Sequence, residues 1–412
     1  MPKRSPRPAV TAALPHAPPV AGRRRALLRS GALAALTVLA LTACTATPRP
    51  AARTREAPTR PPATTRHALH RLVDDGAPGA ASLTTRAGYP DARYTAAGVA
   101  DLRSGRTMRP RDHFRAGSLT KTLVATVVLQ LVAEGRLSLH DSAAAHLPPG
   151  VPAVGDGDRS ELRRVTIRQL LDHTSGLFNY TQDPRLSRQL FGKGFGAHRY
   201  DSHTPAELLR IALSHPSVAP PGTHYAYSNT NYLVLGLVIE AVTKHPYATE
   251  IRRRILGPAR LTHTSFPGTD PVLPEPHGRA YSQAGGRRVD ATSLDPSRAG
   301  AAGEMVTTLG DLNRFFAALL GGRLLPSRQM AQIHNEKATG GAYGLGLYAT
   351  RLPCGVTVWG HNGDINGSYV RTAGTADGRH IVSYRLNTDT LAHPAHGTAV
   401  LTADFCASRR RP

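Results

Sequence analysis

The chain is short of lysine, cysteine and acid. Of its 412 residues five are lysine (Lys3, Lys121, Lys193, Lys244, Lys337), three are cysteine (Cys44, Cys354, Cys406) and one is tryptophan (Trp359). No paired C-x-x-C and no H-E-x-x-H run is present, and His67-x-x-His70 has no companion ligand beside it. Those absences argue against a structural or catalytic zinc; neither metal nor cofactor is expected. Aromatics make up 5% of the chain, and no basic repeat carries interleaved aromatics, so nucleic acid is not an expected partner. Asp and Glu number 28 against 51 Lys and Arg, a net charge of +23. The excess is uneven. Residues 1–64 hold eleven Lys and Arg against Glu56 alone, and Arg409-Arg410-Arg411 add three more. The remaining excess is scattered arginine, which suits proximity to anionic lipid or wall polymer.

The apolar run from Ser30 to Ala43 has fourteen residues, short of the roughly 20 that span a bilayer. It follows Arg23-Arg24-Arg25 and ends in Leu41-Thr42-Ala43-Cys44. A basic flank, a short apolar core and small residues at the end describe a secretory signal. Cys44 in that setting resembles a bacterial lipobox, implying cleavage before Cys44 and lipidation of its thiol; an ordinary secreted chain is the alternative. The arginine cluster also suits twin-arginine export. The stretch that follows is rich in Pro, Thr and Arg without periodicity, the composition of a solvated spacer. The expected plan is a signal over 1–43, a linker over 44–65, a folded domain over 66–407 and a basic tail over 408–412.

Within that domain the stretch Phe114 to Gln130 stands out. Leu123, Val124, Val127, Val128 and Leu131 recur at helical spacing, and Ser118 precedes Lys121 by three residues at the helix entrance. Residues i and i+3 are neighbours on a helix. An amine there can take the hydroxyl's proton, and a helix N-terminus favours the oxyanion that forms on attack. Lys121 snorkelling to solvent and Ser118 capping the helix is the non-catalytic alternative. A helix near Arg66–Asp74 and a hairpin of Gly79–Thr85 with Ala92–Val99 are expected before it. Helices are expected after it at Thr166–Leu171, Pro205–Leu213, from Asn231, and at Thr308–Leu320, with a helix end at Gly176 accounting for His173 and Ser175. Strands are expected at Tyr343–Tyr348, Gly355–Gly360, Ser368–Ala373 and His380–Arg385, and a last helix at Pro394–Phe405. Sequential strands with short turns imply an antiparallel sheet covered by helices from both ends of the chain.

Three motifs fall in order: Ser118-Leu-Thr-Lys121, Tyr227-Ser-Asn229 after 109 residues (227 − 118), and His361-Asn-Gly363 after 134 more (361 − 227). Ser-x-x-Lys, Tyr-x-Asn and His-x-Gly in that order resemble the serine β-lactamase and D-alanyl-D-alanine carboxypeptidase superfamily, closest to the secreted serine carboxypeptidases of high-GC bacteria. The resemblance runs over about 66–407 and includes Leu170-Leu-Asp-His-Thr-Ser-Gly-Leu177, Tyr343-Gly-Leu-Gly-Leu347 and Trp359-Gly-His-Asn-Gly363. It implies a mixed α+β, transpeptidase-like fold: an antiparallel sheet from about 66–125 and 300–407 flanked by helices, with a mainly helical insertion over 126–299. It implies Ser118 as nucleophile, with Lys121 as its base or as the cation that lowers the pKa of Tyr227. Tyr227 would carry the proton to the leaving group, its own pKa falling well below 10. His361 would support the proton network. Asn229, Asn362, Gly363 and Asp364 would bind substrate, the backbone N–H groups of Ser118 and Asp364 forming the oxyanion hole. It also implies a Cys354–Cys406 disulfide, consistent with an exported chain. Taken as a packing residue, a helix cap and a strand end, Tyr227, Asn229 and His361 have ordinary explanations too.

The sequence departs from the carboxypeptidase pattern at the substrate grip. Tyr348 stands where an arginine follows Tyr-Gly-Leu-Gly-Leu, the nearest arginine being Arg351, and Asn362 and Asp364 replace two threonines. Asp364 would face an anionic substrate with like charge. The expected activity is a monomeric, lipid-anchored serine hydrolase outside the cytoplasmic membrane, carboxypeptidase-like on wall peptides and penicillin-binding. An esterase, a D-amino-acid amidase or a β-lactamase on the same scaffold are alternatives, and a non-catalytic binding protein the remotest.

Overall fold

Six antiparallel strands make the platform for the site in the computed structural model: Gly79–Arg86 (β1), Arg93–Gly98 (β2), Tyr348–Arg351 (β3), Thr357–Ile365 (β4), Ser368–Gly374 (β5) and His380–Leu386 (β6). The structure describes residues 64–407 apart from 89–90, 148–150, 152–160 and 391–392. The expected signal, Cys44, most of the linker and the tail over 408–412 lie outside the described residues. The strand order is β2-β1-β6-β5-β4-β3. The first and last parts of the domain therefore meet in mid-sheet, with Ala80 opposite Leu386 and Arg86 opposite His380.

Five helices pack on this sheet or build the site: Thr65–Asp74 (α1), Thr120–Ala133 (α2), Asn229–Thr243 (α3), Leu309–Leu320 (α4) and Pro394–Phe405 (α5). Side chains alternate across a strand, and that alternation sorts the two faces. Ala80, Val358, Ala373, Val382 and Tyr384 pack with Ala68, Leu69 and Leu72 of α1 and Val400 and Leu401 of α5. Ala81, Leu83, Val370 and Ile381 face the larger core, which α2, α3 and α4 share. Helix α2 is its centre: every residue from Thr120 to Leu129 is buried, so the helix is enclosed rather than amphipathic. Smaller helices over Glu161–Leu256 wrap the far side of α2 and α3.

Asp404 ties α5 to the sheet. Its carboxylate, fully buried, accepts from Thr84 Oγ1 at 2.7 Å and from Arg86, Arg93 and Thr65, and lies 2.8 Å from His380 Nε2. Burial alone would raise its pKa, but His380, Thr84 and Arg93 outweigh that and hold it well below the usual carboxylate range. A disulfide joins Cys354 to Cys406 with Cα atoms 5.8 Å apart, fastening the β3–β4 turn to the end of α5. Closing a loop of that length stabilises by up to about 4 kcal/mol through the unfolded chain.

Three expectations need correction. Tyr343–Leu347 is not strand; β3 begins at Tyr348, because Gly344 and Gly346 turn the chain, the latter at φ +95°. The next strand does not stop at Gly360 but runs to Ile365, so His361-Asn-Gly363 lies inside β4, paired with Arg371, Thr372 and Val370 of β5. The segment before Gly176 leaves its helix at Leu171, and His173 takes a left-handed φ of 60°.

Candidate active site

The site is assembled where β4 meets the entrance of α2. Just before that entrance Phe114–Arg115 pairs antiparallel with Val306–Thr307, and Ala116 N–H donates to Met305 O at 2.8 Å. Gly117 then takes φ +52°, a conformation that costs a Cβ-bearing residue steric strain. A Cβ there would also stand 2.8 Å from Asp364 N and 2.7 Å from Asp364 O, so the strand rests directly on the turn. Gly117–Leu119 forms a single 3₁₀ turn, and Ser118 sits in it with its side chain partly open to solvent.

Lys121, one turn on, is completely buried. Its Nζ is 2.9 Å from Ser118 Oγ, 2.8 Å from Asn229 Oδ1 and 2.6 Å from Ala302 O. Burial lowers its pKa well below the lysine value, and among the described residues no carboxylate pairs with it. The neutral amine fits these contacts. As a neutral amine it would give its two N–H groups to the two carbonyl acceptors, Asn229 Oδ1 and Ala302 O, and leave its lone pair to Ser118. Tyr227 O–H donates to Ser118 Oγ at 2.8 Å, which frees the serine's own hydrogen to point at the lysine. The four groups form one hydrogen-bonded chain, Tyr227 to Ser118 to Lys121 to Asn229.

Asn229 does not cap α3, as the simplest reading had it. Ser228 is the N-cap and Asn229 the first helical residue, its N–H donating to Asn179 Oδ1 at 3.2 Å. That position turns its side chain onto Lys121. The expectation that the Tyr227 pKa falls is also overturned. Its ring keeps some surface at the mouth, yet surrounding protein pushes the phenol above its ordinary value, only partly offset by the bond to Ser118.

His361 is buried on the α2 side of β4, and its Nε2 is 2.7 Å from Tyr343 O–H. Its Nδ1 meets its neighbour's carbonyl, Asn362 O, so Nδ1 carries the hydrogen and Nε2 accepts from the tyrosine. Burial pushes its pKa down to about 3, and it stays neutral. Gly363 faces the same way and packs on Ala116 and Leu119. Asn362 points to the other face, where its Oδ1 accepts from Tyr348 O–H at 2.8 Å. Arg371 lies behind that tyrosine, 5.7 Å from its ring, and donates to Thr350 Oγ1 at 2.7 Å. Arg351 pairs with Thr357 at the far end of β3, three residues from Tyr348 and on the opposite face, so it cannot stand in for the missing arginine. Asp364 is exposed, with no hydrogen bond or ion pair to its side chain among the described residues. Crowding by the surrounding protein and, second, Asp389 raise its pKa.

His173 is the residue that pattern reading passed over. It is fully buried, and its Nδ1 accepts from Ser228 N–H at 3.2 Å and from Asn231 Nδ2 at 3.1 Å. Its ring centre is 4.2 Å from that of Tyr227. It therefore fixes the turn that carries Tyr227 and Asn229 and braces the phenol from behind. Leu170-Leu-Asp-His-Thr-Ser-Gly-Leu177 had marked the segment, but nothing in sequence tied it to residues more than fifty positions away. Among the described residues no group of three His, Cys, Asp or Glu side chains is placed to hold a metal ion.

A buried amine of lowered pKa, a hydroxyl within its reach and backbone donors packed beside them are what acyl transfer through a serine requires, and the class is that of serine hydrolases. The profile of the Beta-lactamase family matches residues 64–405, and the chain belongs to that family. A solved D-stereospecific amidohydrolase from Streptomyces sp. is similar at 40% identity and a TM-score of 0.74, over 83% of this chain and 98% of that one. The putative penicillin-binding protein PbpX of Bacillus subtilis is 28% identical over 61% of this chain and 57% of its own length. Esterase EstB of Burkholderia gladioli is 35% identical over 43% of this chain and 44% of its own. The chain thus spans between about a third and just over half the length of the curated relatives it matches.

Proposed function

We propose that the protein is an amidohydrolase that cleaves amides of D-configured residues through an acyl-enzyme on Ser118. Ser118 Oγ attacks the carbonyl carbon as its proton passes to Lys121 Nζ. The oxyanion is held by the N–H groups of Ser118 and Asp364, each such donor contributing roughly 10²–10³ in rate. The C–N bond then breaks. Tyr227 gives its proton to the departing nitrogen, and the phenolate so formed takes up the proton that Lys121 received from Ser118. Water reverses the sequence to release the acid. His361, neutral and held by Tyr343, keeps β4 against the catalytic turn.

The observation that carries the amide reading is the rim of the site. Tyr348 and Asn362 bond to each other, Arg371 is drawn back to Thr350, and an unpaired Asp364 stands beside them. A free terminal carboxylate would meet no cation there and one like charge. The likeness to the Streptomyces amidohydrolase supports the D configuration. A D-alanyl-D-alanine carboxypeptidase is the second reading, favoured by the likeness to PbpX and by His361-x-Gly363. D-phenylalaninamide, its L enantiomer and acetyl-D-Ala-D-Ala, offered to the purified enzyme, separate the two. The D-amide should be turned over at least about tenfold faster than either other compound. Faster release of D-alanine than of ammonia would establish the carboxypeptidase instead, and equal rates on the enantiomers would point to an unselective esterase-type site.

We also propose, from the segment around Leu41-Thr-Ala-Cys44, that the enzyme works as a lipid-anchored monomer outside the cytoplasmic membrane. Cys44→Ala should move it from the membrane pellet to the soluble fraction; an unchanged distribution would refute lipidation.

A further inference from the structure

We propose that the Asp364 side chain selects substrates by charge on the leaving-group side of the site, favouring a leaving group that carries an amine over one that ends in a carboxylate. This rests on the amidohydrolase reading and adds a substrate class to it. The leaving nitrogen must lie within reach of Tyr227, its proton donor. Beyond Tyr227 the wall continues through Tyr343, whose ring centre is 6.5 Å away, to Tyr348, a further 6.1 Å on. Tyr348 O–H in turn holds Asn362. Asp364 is two residues along β4 from Asn362 and on the same face, about 7 Å further, while its backbone touches the turn that holds Ser118. Because that backbone lies against the turn of Ser118, the exposed Asp364 carboxyl stands at the edge of the same cleft.

The local field at Asp364 is acidic. The neighbouring charge felt there is Asp389, which donors from Ser282 and Gly367 hold in place. Arg371, paired with Asn362 on the neighbouring strand, is bonded away toward Thr350, its guanidinium 5.7 Å from the Tyr348 ring. An exposed carboxyl with an acid neighbour and no basic partner attracts a bound cation and repels a bound anion. An ammonium group placed there also stabilises the ionised form that crowding disfavours.

The test uses three ligands with one acyl part: acetyl-D-alanyl-aminoethylamide (cationic), acetyl-D-alanyl-glycinamide (neutral) and acetyl-D-alanyl-glycine (anionic). Each is scored both as an inhibitor of p-nitrophenyl acetate hydrolysis and as a substrate. The inhibition constant of the cationic ligand should be about tenfold lower than that of the anionic one, and the gap should shrink as salt is raised. Asp364→Asn should bring the ratio close to one, and Asp364→Glu should keep it. A ratio near one in the wild-type enzyme, or one that Asp364→Asn leaves unchanged, would overturn the proposal. If Asp364→Asn fails to fold, the wild-type ratio and its salt dependence decide. Because inhibition is read against a simple ester, ligands that bind in the expected order without being cut would sink the amidohydrolase reading and leave the charge selection standing.

Discussion

Lys121→Met is expected to be as inactive as Ser118→Ala, each lowering kcat on p-nitrophenyl acetate by about 10⁵–10⁶, and the double variant should be no worse than either. The two groups are one device. Nζ lies 2.9 Å from Oγ, and the serine is a poor nucleophile unless its proton has somewhere to go. A merely structural lysine would predict a loss of tenfold or less and additive effects. The pH dependence carries a second, independent sign. Burial holds the folded-state pKa of Lys121 well below its unfolded value, so acylation should fall as pH drops through that lowered value and stay level above it. Between the two values the unfolded chain binds a proton that the folded chain does not, so raising the pH stabilises the fold. Relative to Lys121→Met, the wild-type unfolding free energy should therefore climb by about 1.4 kcal/mol per pH unit toward the unfolded lysine pKa. Denaturant titrations at several pH values would show this as diverging curves. Parallel curves would mean that the buried amine is charged, and would return the role of base to Tyr227.

How much of this was legible in sequence depends on how far each interaction reaches. Ser118 and Lys121 are one helical turn apart, so spacing alone placed them together. The C-terminal helix was readable over its whole length, Pro394–Phe405, and the antiparallel sheet followed from short turns between alternating strands. Tyr227 and Asn229 came only from the order of three motifs, since no local pattern brings them to Ser118. What sequence could not give was environment. Lys121 was expected either as the base or as the cation that lowers the Tyr227 pKa; enclosure pushes the lysine down and the phenol up, which favours the first. His173 was legible as a helix-end polar residue and no more, because its partners Ser228 and Asn231 lie across the fold. The loss of an arginine at Tyr348 was visible, whereas the Tyr348–Asn362 bond that fills its place was not. The third motif was expected at a strand's end; here Gly360 and Gly363 are inside one, each where a neighbouring segment comes too close for a side chain.

Gly363→Ala should remove nearly all activity while leaving Ser118, Lys121 and Tyr227 in the chain. A Cβ on Gly363 would stand 1.8 Å from Ala116 O, 2.9 Å from Ala116 C and 3.2 Å from Leu119 N. All three are backbone atoms of the turn that carries Ser118, pinned on its other side by Met305 and the Val306–Thr307 ribbon. Neither element can give way by rotating a side chain, so β4 and the turn must separate by an ångström or more. That displacement opens the space between the Ser118 and Asp364 N–H groups, which stabilise an oxyanion only when both reach it at hydrogen-bond distance. A shift of this size costs about 10²-fold in positioning alone, and losing one oxyanion donor a further 10²–10³. kcat/KM for p-nitrophenyl acetate should thus fall by about 10⁴ or more, with a lower melting temperature from the strained contact. Gly360→Ala serves as the comparison. Its Cβ would press on Thr372 O and Ala373 of β5, a clash within the sheet and away from the catalytic turn. That variant should lose stability to a similar degree with a much smaller loss in the activity of its folded fraction. If the two variants instead lost activity in the same proportion as stability, the glycine of the third motif would be there for the sheet and not for the oxyanion hole.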